Sequence, residues 1–272
     1  MVLITLIGYT SGLMSQVVQL DWNWPTIGYK TGYFIEGKDT LRFKYFIPEH
    51  LNQTKLGVLI FLHGSGERGS DNERQLSHGS EFLKSCAQND SFPSMVIFPQ
   101  CPSNSYWSNV KRTEDKQGKP HFKFNHKRRK TAAMKQLLNF TDWLVNCQQF
   151  DNEHFVVGGL SMGGMGTIEL VRRRPQVFCA AFPICGGGII LHPELLYNTR
   201  FWFFHGGKDD IVPPENSDKL VAQLKSASID VQYGFYPEAN HNSWDSAFAE
   251  PLLPAWLNRP RPIQIIEVSI SK

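Results

Sequence analysis

The chain has 272 residues, 41% of them hydrophobic, and a formal net charge of +3. That is enough chain to build one large α/β core. The positive balance is too weak for a nucleic-acid surface, and no zinc-finger, P-loop, EF-hand or fixed-period repeat pattern is present in the sequence.

Residues 1–15 are mostly apolar, with Gly, Ser and Thr and no acidic residue. They resemble the apolar part of a secretory signal, with Leu13-Met14-Ser15 before Gln16 as the cleavage point, although a basic leading segment is missing. The run is too short and too polar to span a bilayer, so no membrane insertion is expected. The expectation is a signal remnant at 1–15, an exported protein, and a single domain over 16–272. The competing expectation is an ordinary N-terminal strand.

Residues 32–48 read as two antiparallel strands turning at Gly37-Lys38-Asp39. Residues 57–62 form a continuous apolar run of strand length, ending in His63-Gly64-Ser65-Gly66-Glu67-Arg68-Gly69. A helix over 80–88 and a buried strand over 94–98 follow. Residues 101–130 break the rhythm as a long polar stretch with a basic run at Lys127-Arg128-Arg129-Lys130, which is read as a loop with a solvated charge face. An amphipathic helix over 131–148 puts Met134, Leu137, Leu138, Thr141, Leu144 and Val145 on one face.

Then comes Val156-Val157-Gly158-Gly159-Leu160-Ser161-Met162-Gly163-Gly164, an apolar strand, a sharp turn and a helix start. Gly159-x-Ser161-x-Gly163 is the nucleophile-elbow spacing. The serine needs a strained backbone to thrust out its hydroxyl, and side chains two residues away on either side would strike the neighbouring elements. Further strands are expected over 178–185, 201–204 and 231–236, with a helix over 214–226 and a closing helix over 244–257. Alternating strands and helices of this kind make a mostly parallel, eight-stranded sheet covered on both faces, with the site at the carboxyl ends of its strands.

A serine hydroxyl needs a base to take its proton and an acid to orient that base. Ser161, Asp209 and His241 stand in the order Ser, Asp, His, each beyond its own strand. His63-Gly64-Ser65-Gly66, Pro99-Gln100-Cys101-Pro102, the elbow, His205-Gly206-x-x-Asp209-x-x-Val212-Pro213 and His241-x-x-Trp244 together resemble the α/β-hydrolase superfamily over residues 34–257. The branch is that of carboxylesterases and peptidases related to dienelactone hydrolase and polyhydroxybutyrate-depolymerase-like esterases.

That resemblance implies Ser161 as nucleophile, His241 as base and Asp209 as orienting acid, with the family spacing selecting Asp209 over Asp210. It implies an oxyanion hole from the N–H groups of Met162 and of Ser65 or Gly66, and a substrate contact from Trp107, with a loop aromatic packed for its own stability as the alternative for Trp107. His63 and His205 are expected to hold loop backbone, and Glu67-Arg68 to pair structurally beneath the oxyanion loop. No metal or organic cofactor is implied. The expected substrate is a small-molecule or glycan ester, such as an acetylated or feruloylated polysaccharide. The alternatives are a peptidase or aminoacyl hydrolase of small peptides, and a binding protein that keeps the fold. Of the five cysteines, Cys179 and Cys185 are expected in the core, with a disulfide open among Cys86, Cys101 and Cys147.

Overall fold

A computed structural model describes residues 4–8, 16–20, 28–49, 55–88, 93–125, 130–259 and 261, with side chains from residue 28 onward. The expected cleavage point at 13–15, His126, the basic residues 127–129 and the tail beyond 261 lie outside the described residues.

The chain begins with four antiparallel strands, β1 (Ile4–Gly8), β2 (Gln16–Leu20), β3 (Lys30–Glu36) and β4 (Asp39–Phe46). The turn between β3 and β4 uses Gly37 at φ +60°, a left-handed position that glycine takes without strain. The order then becomes β5 (Leu56–Leu62), α1 (Ser80–Ala87), β6 (Ser94–Gln100), β7 (Val110–Glu114), β8 (Pro120–Phe124), α2 (Ala132–Val145), β9 (Phe150–Leu160), α3 (Met162–Arg173) and β10 (Ala180–Ile184). It closes with β11 (Arg200–Gly206), α4 (Glu215–Ser226), β12 (Val231–Tyr236), α5 (Trp244–Phe248) and α6 (Leu253–Leu257).

Among the described residues the main sheet has ten strands rather than eight, in the order β1-β2-β3-β4-β6-β5-β9-β10-β11-β12. The two extra strands are β1 and β2, which extend the antiparallel edge; β1 lies inside the stretch read as a leader. From β6 to β12 the pairing is parallel. Every residue of β5, β6, β10 and β11 is buried. That explains why their central residues are apolar without alternation, because helices cover both faces and leave no wet side. One face packs on α2, α3 and α4 through residues such as Leu137, Ile168 and Leu220. The other packs on α1, α5 and α6 through Leu83, Ala247 and Trp256.

Local chemistry sets the ends of these elements. Thr131 caps α2, its hydroxyl accepting the Met134 N–H at 3.1 Å. Arg200 is buried and holds the chain end, donating to the carbonyls of Trp256 at 2.9 Å and Arg259 at 2.6 Å while its guanidinium lies 5.0 Å from the Trp256 ring centre.

The long polar stretch contains secondary structure that its composition did not announce. β7 and β8 form a separate antiparallel hairpin, and Lys119 at its turn bridges to Glu215 of α4 at 2.7 Å. Most hairpin residues face solvent, so there is no apolar period to read. All five cysteines are free thiols. No helix among the described residues is long and apolar enough to cross a membrane.

Candidate active site

Ser161 sits between β9 and α3 with φ +54° and ψ −116°, a conformation that costs a non-glycine residue of order 1–3 kcal/mol. Its neighbours impose that conformation. A Cβ on Gly163 would lie 1.8 Å from the Leu62 carbonyl oxygen, and one on Gly159 would lie 2.6 Å from the Gly163 backbone. Glycine at both places lets β9, α3 and the end of β5 close on one another. The Ser161 N–H is tied to the Ile184 carbonyl at 2.9 Å, which fixes the turn to β10.

His241 follows β12 and reaches across to the serine. Its Nε2 lies 2.9 Å from Ser161 Oγ and its Nδ1 lies 2.8 Å from Asp209 Oδ2. The carboxylate can only accept, so Nδ1 carries the proton and Nε2 is left to accept from the serine hydroxyl. Asp209 is held from all sides. Its Oδ1 accepts the N–H groups of Ile211 at 3.0 Å and Val212 at 2.9 Å, and His205 Nε2 stands 3.2 Å from Oδ2. Burial pushes the Asp209 carboxyl up, but the hydrogen bonds from His205, His241 and Val212 outweigh it and hold the group at about 2. The acid therefore stays ionised through the neutral range and stabilises a positive imidazole beside it. Asp210 is exposed and is not part of this network.

The two other histidines at strand ends hold backbone, as their sequence setting predicts. His205 Nε2 donates to the Val212 carbonyl at 2.8 Å and its Nδ1 accepts from the Ser217 hydroxyl at 2.7 Å, which fixes the acid loop onto α4. His63 Nε2 accepts the Cys101 N–H at 2.9 Å, so its Nδ1 carries the proton and donates to the Gly64 carbonyl at 2.6 Å. Burial lowers the His63 ring to about 4, which keeps it neutral and able to accept. The loop it holds turns through a short 3₁₀ helix, Ser65–Glu67, directly beside Ser161. A Cβ on Gly64 would lie 3.8 Å from Ser161 Cβ. Met162 opens α3, so its N–H belongs to the first helical turn, where no carbonyl of the helix can accept it.

The phospholipase/carboxylesterase family matches residues 48–250 of the chain. The chain belongs to that family.

Solved structures agree. A thermostable esterase superposes with a TM-score of 0.74 at 25% identity, covering 95% of this chain and 76% of that one. The fluorophosphonate-binding serine hydrolase F of Staphylococcus aureus gives 0.59 at 14% identity over 85% and 98%. A ferulic acid esterase gives 0.58 at 14% identity over 86% and 98%. The two more distant likenesses show the fold alone. No curated protein matches the chain. Family and fold together make this chain an α/β-hydrolase of the carboxylesterase branch, a hydrolytic enzyme.

Within this carboxylesterase fold, Trp107 is not where the sequence placed it. It is fully buried beneath the loop after β5, its ring edge-on to His63 at 5.6 Å between centres and its Cβ close against Gly166. With no exposed surface it supports the His63 loop rather than contacting a substrate. The expected pairing of Glu67 with Arg68 is also absent. Arg68 turns away, donating to the carbonyls of Ser65, Ser103 and Ser105 at 3.0 to 3.2 Å and lying over Tyr106. Glu67 instead turns toward the elbow, with Oε2 buried and without a hydrogen-bond partner, and 3.0 Å from the position of a Gly64 Cβ. Its Oε1 lies 4.0 Å from His78 Nε2, and the His78 ring packs on Trp244, which packs edge-on to His241.

Cys185 was read as an ordinary core residue and is indeed buried, yet its thiol lies beside Asp209 and His241. Nothing in the local sequence signals this, since the three residues come from three different strand ends. A cleft of about 470 Å³ opens next to the Asp209 loop, between hairpin residues Gln117–Pro120 and the segment Gly207–Glu215.

Proposed function

We propose that the protein is a serine carboxylesterase that works through an acyl-enzyme. The observation that carries the reading is the unbroken path Ser161 Oγ to His241 Nε2 at 2.9 Å and His241 Nδ1 to Asp209 Oδ2 at 2.8 Å. His241 takes the hydroxyl proton as Ser161 attacks the acyl carbon, and Asp209 stabilises the imidazolium that forms. The Met162 N–H and an N–H from the Ser65-Gly66 turn face the developing oxyanion, a role supported by their places at the start of α3 and in the loop touching the nucleophile. His241 then protonates the leaving alcohol, and water, activated by the same ring, releases the acid.

The substrate class in this reading is a small ester whose alcohol side is polar, such as an acetylated or feruloylated sugar. The cleft beside Asp209 supports it. Lys119, Asp210 and Glu215 line that cleft, offering donors and acceptors for hydroxyl groups. Export belongs to the same proposal. A chain from the native cell that starts near Gln16 supports it, and one that starts at Met1 overturns it.

The test is hydrolysis by wild type and Ser161→Ala of a matched panel: an aryl acetate, longer aryl esters, methyl ferulate and a blocked aminoacyl arylamide. Ser161-dependent ester turnover supports the proposal. Turnover of the arylamide alone transfers it to a peptidase. No turnover, together with no fluorophosphonate labelling of Ser161, leaves a binding protein on the hydrolase fold.

A further inference from the structure

Cys185 ends β10 with φ +41°, in the left-handed region that side-chain-bearing residues rarely occupy. Its N–H is bound to the Phe204 carbonyl at 2.8 Å, and the preceding residue, Ile184, accepts the Ser161 N–H at 2.9 Å. The thiol is thus held by the same strand register that holds the serine. Its Sγ, a carboxylate oxygen of Asp209 and a ring nitrogen of His241 all lie within 4.8 Å of one another. Burial, and the negative charge of Asp209, push the Cys185 thiol up. At neutral pH it is therefore protonated, and it takes no part in the ester chemistry.

A thiolate, an imidazole and a carboxylate converging on one point are the donor set of a zinc site. Bond lengths of about 2.0–2.3 Å in a tetrahedron separate neighbouring donors by about 3.3–3.8 Å. All three donors already lie within 4.8 Å of one another, and the His241 Nδ1–Asp209 Oδ2 pair, now hydrogen-bonded at 2.8 Å, opens by about half an ångström to let the ion between them. Cys185 and Asp209 are fixed by backbone contacts, so the adjustment falls on the His241 ring, which is 19% exposed.

We propose that Cys185, Asp209 and His241 form an inhibitory site for Zn²⁺. The ion bonds to Cys185 Sγ, an Asp209 carboxylate oxygen and a His241 ring nitrogen, with water in the fourth position. One proton leaves to solvent, from the thiol; the neutral imidazole keeps its own on the ring nitrogen that the metal does not take, and no oxidation state changes. Bound metal takes the lone pair and the orientation that His241 needs for Ser161, so metal binding and turnover are mutually exclusive. The inhibitory consequence rests on the serine-esterase reading, whereas the binding itself does not.

Two measurements separate them. In the first, Zn²⁺ is titrated against hydrolysis of an aryl acetate by wild type, Cys185→Ala and Cys185→Ser. Wild type loses activity and regains it with a chelator. Both variants keep their basal rate and need at least about tenfold more Zn²⁺ for the same loss, as expected when one of three ligands is removed. In the second, Co²⁺ replaces Zn²⁺ in the Ser161→Ala protein, which cannot turn over. A cobalt–thiolate charge-transfer band is expected there, and is expected to vanish in the Ser161→Ala/Cys185→Ser double variant. That band is read whether or not any ester is a substrate, so failure of the esterase reading leaves it intact. Equal Zn²⁺ sensitivity in wild type and both cysteine variants, or a cobalt–thiolate band that persists without Cys185, overturns the proposal. Cys185→Ser keeps the shape of the side chain, so it serves if the alanine variant does not fold.

Discussion

The ring of His63 holds two loops together, accepting the Cys101 N–H at 2.9 Å on one nitrogen and donating to the Gly64 carbonyl at 2.6 Å from the other. Accepting from Cys101 needs the neutral ring, and burial keeps it neutral down to about 4 against an ordinary value of 6.5, although the bond to Gly64 pulls the other way. Because the folded-state value is the lower one, the stability it confers is complete above about pH 6.5 and drains away as pH falls toward 4. The loss is about 3 kcal/mol over that window. Urea unfolding midpoints measured from pH 7 to pH 4 should show this component in wild type and lack it in His63→Ala. The same variant should lose about 10²-fold in kcat, with KM nearly unchanged, because the displaced loop carries an oxyanion donor rather than a substrate contact.

The elbow makes a sharper steric prediction. A methyl group on Gly163 would sit 1.8 Å from the Leu62 carbonyl oxygen, whereas one on Gly66 meets nothing within 4 Å. Gly163→Ala must push β5 and α3 apart, and it should destabilise by more than about 4 kcal/mol or fail to fold. Gly66→Ala should leave the thermal midpoint unchanged. Equal effects of the two substitutions, measured by thermal unfolding, would contradict the packing of the turn.

Much of this site was legible because its parts are local. The elbow, the His63-Gly64 loop and the acid and histidine segments each announce themselves by glycines and polar residues at the end of an apolar run. Order along the chain then suffices to bring Ser161, Asp209 and His241 together. What stayed hidden depends on contacts between segments. Trp107 reads as a loop aromatic until the loop folds under His63. The β7–β8 hairpin is mostly solvent-facing and so has no hydrophobic period. β1 and β2 came as extra strands because an edge has no partner run to predict it from. Cys185 looks like a core cysteine by composition, and only the pairing of β10 with β9 and β11 sets its thiol against Asp209 and His241.

The choice between neighbouring acids can be tested directly. Asp209 is buried, with its carboxylate bound by His241 and two backbone N–H groups, and Asp210 is exposed. Asp209→Asn keeps the shape but presents an amide to Nδ1, which favours the wrong tautomer of His241. It should cost about 10⁴ in kcat. Asp210→Asn should retain near-normal kcat and KM. Steady-state kinetics of the two variants on one aryl ester decide the matter, and a dead Asp210→Asn beside an active Asp209→Asn would reverse the assignment.

Glu67 sets a limit on what the site accepts. Its carboxylate oxygen and Ser161 Cβ lie 3.0 Å and 3.8 Å from the same point above Gly64, and no donor among the described residues bonds that oxygen. A second negative charge brought to the nucleophile on a substrate's acyl group meets this one across roughly 6 Å, a repulsion of about 3 kcal/mol at an effective dielectric of ~20. Anionic acyl groups should therefore be poor substrates. Glu67→Gln should raise kcat/KM for an aryl hemisuccinate at least about tenfold relative to the aryl acetate, a change of about 1.4 kcal/mol in discrimination. The ratio cancels any effect of the charge on the oxyanion common to both esters. Since no hydrogen bond is lost, the thermal midpoint should hold or rise. An unchanged ratio would mean that the carboxylate is turned away from the acyl group in the working enzyme.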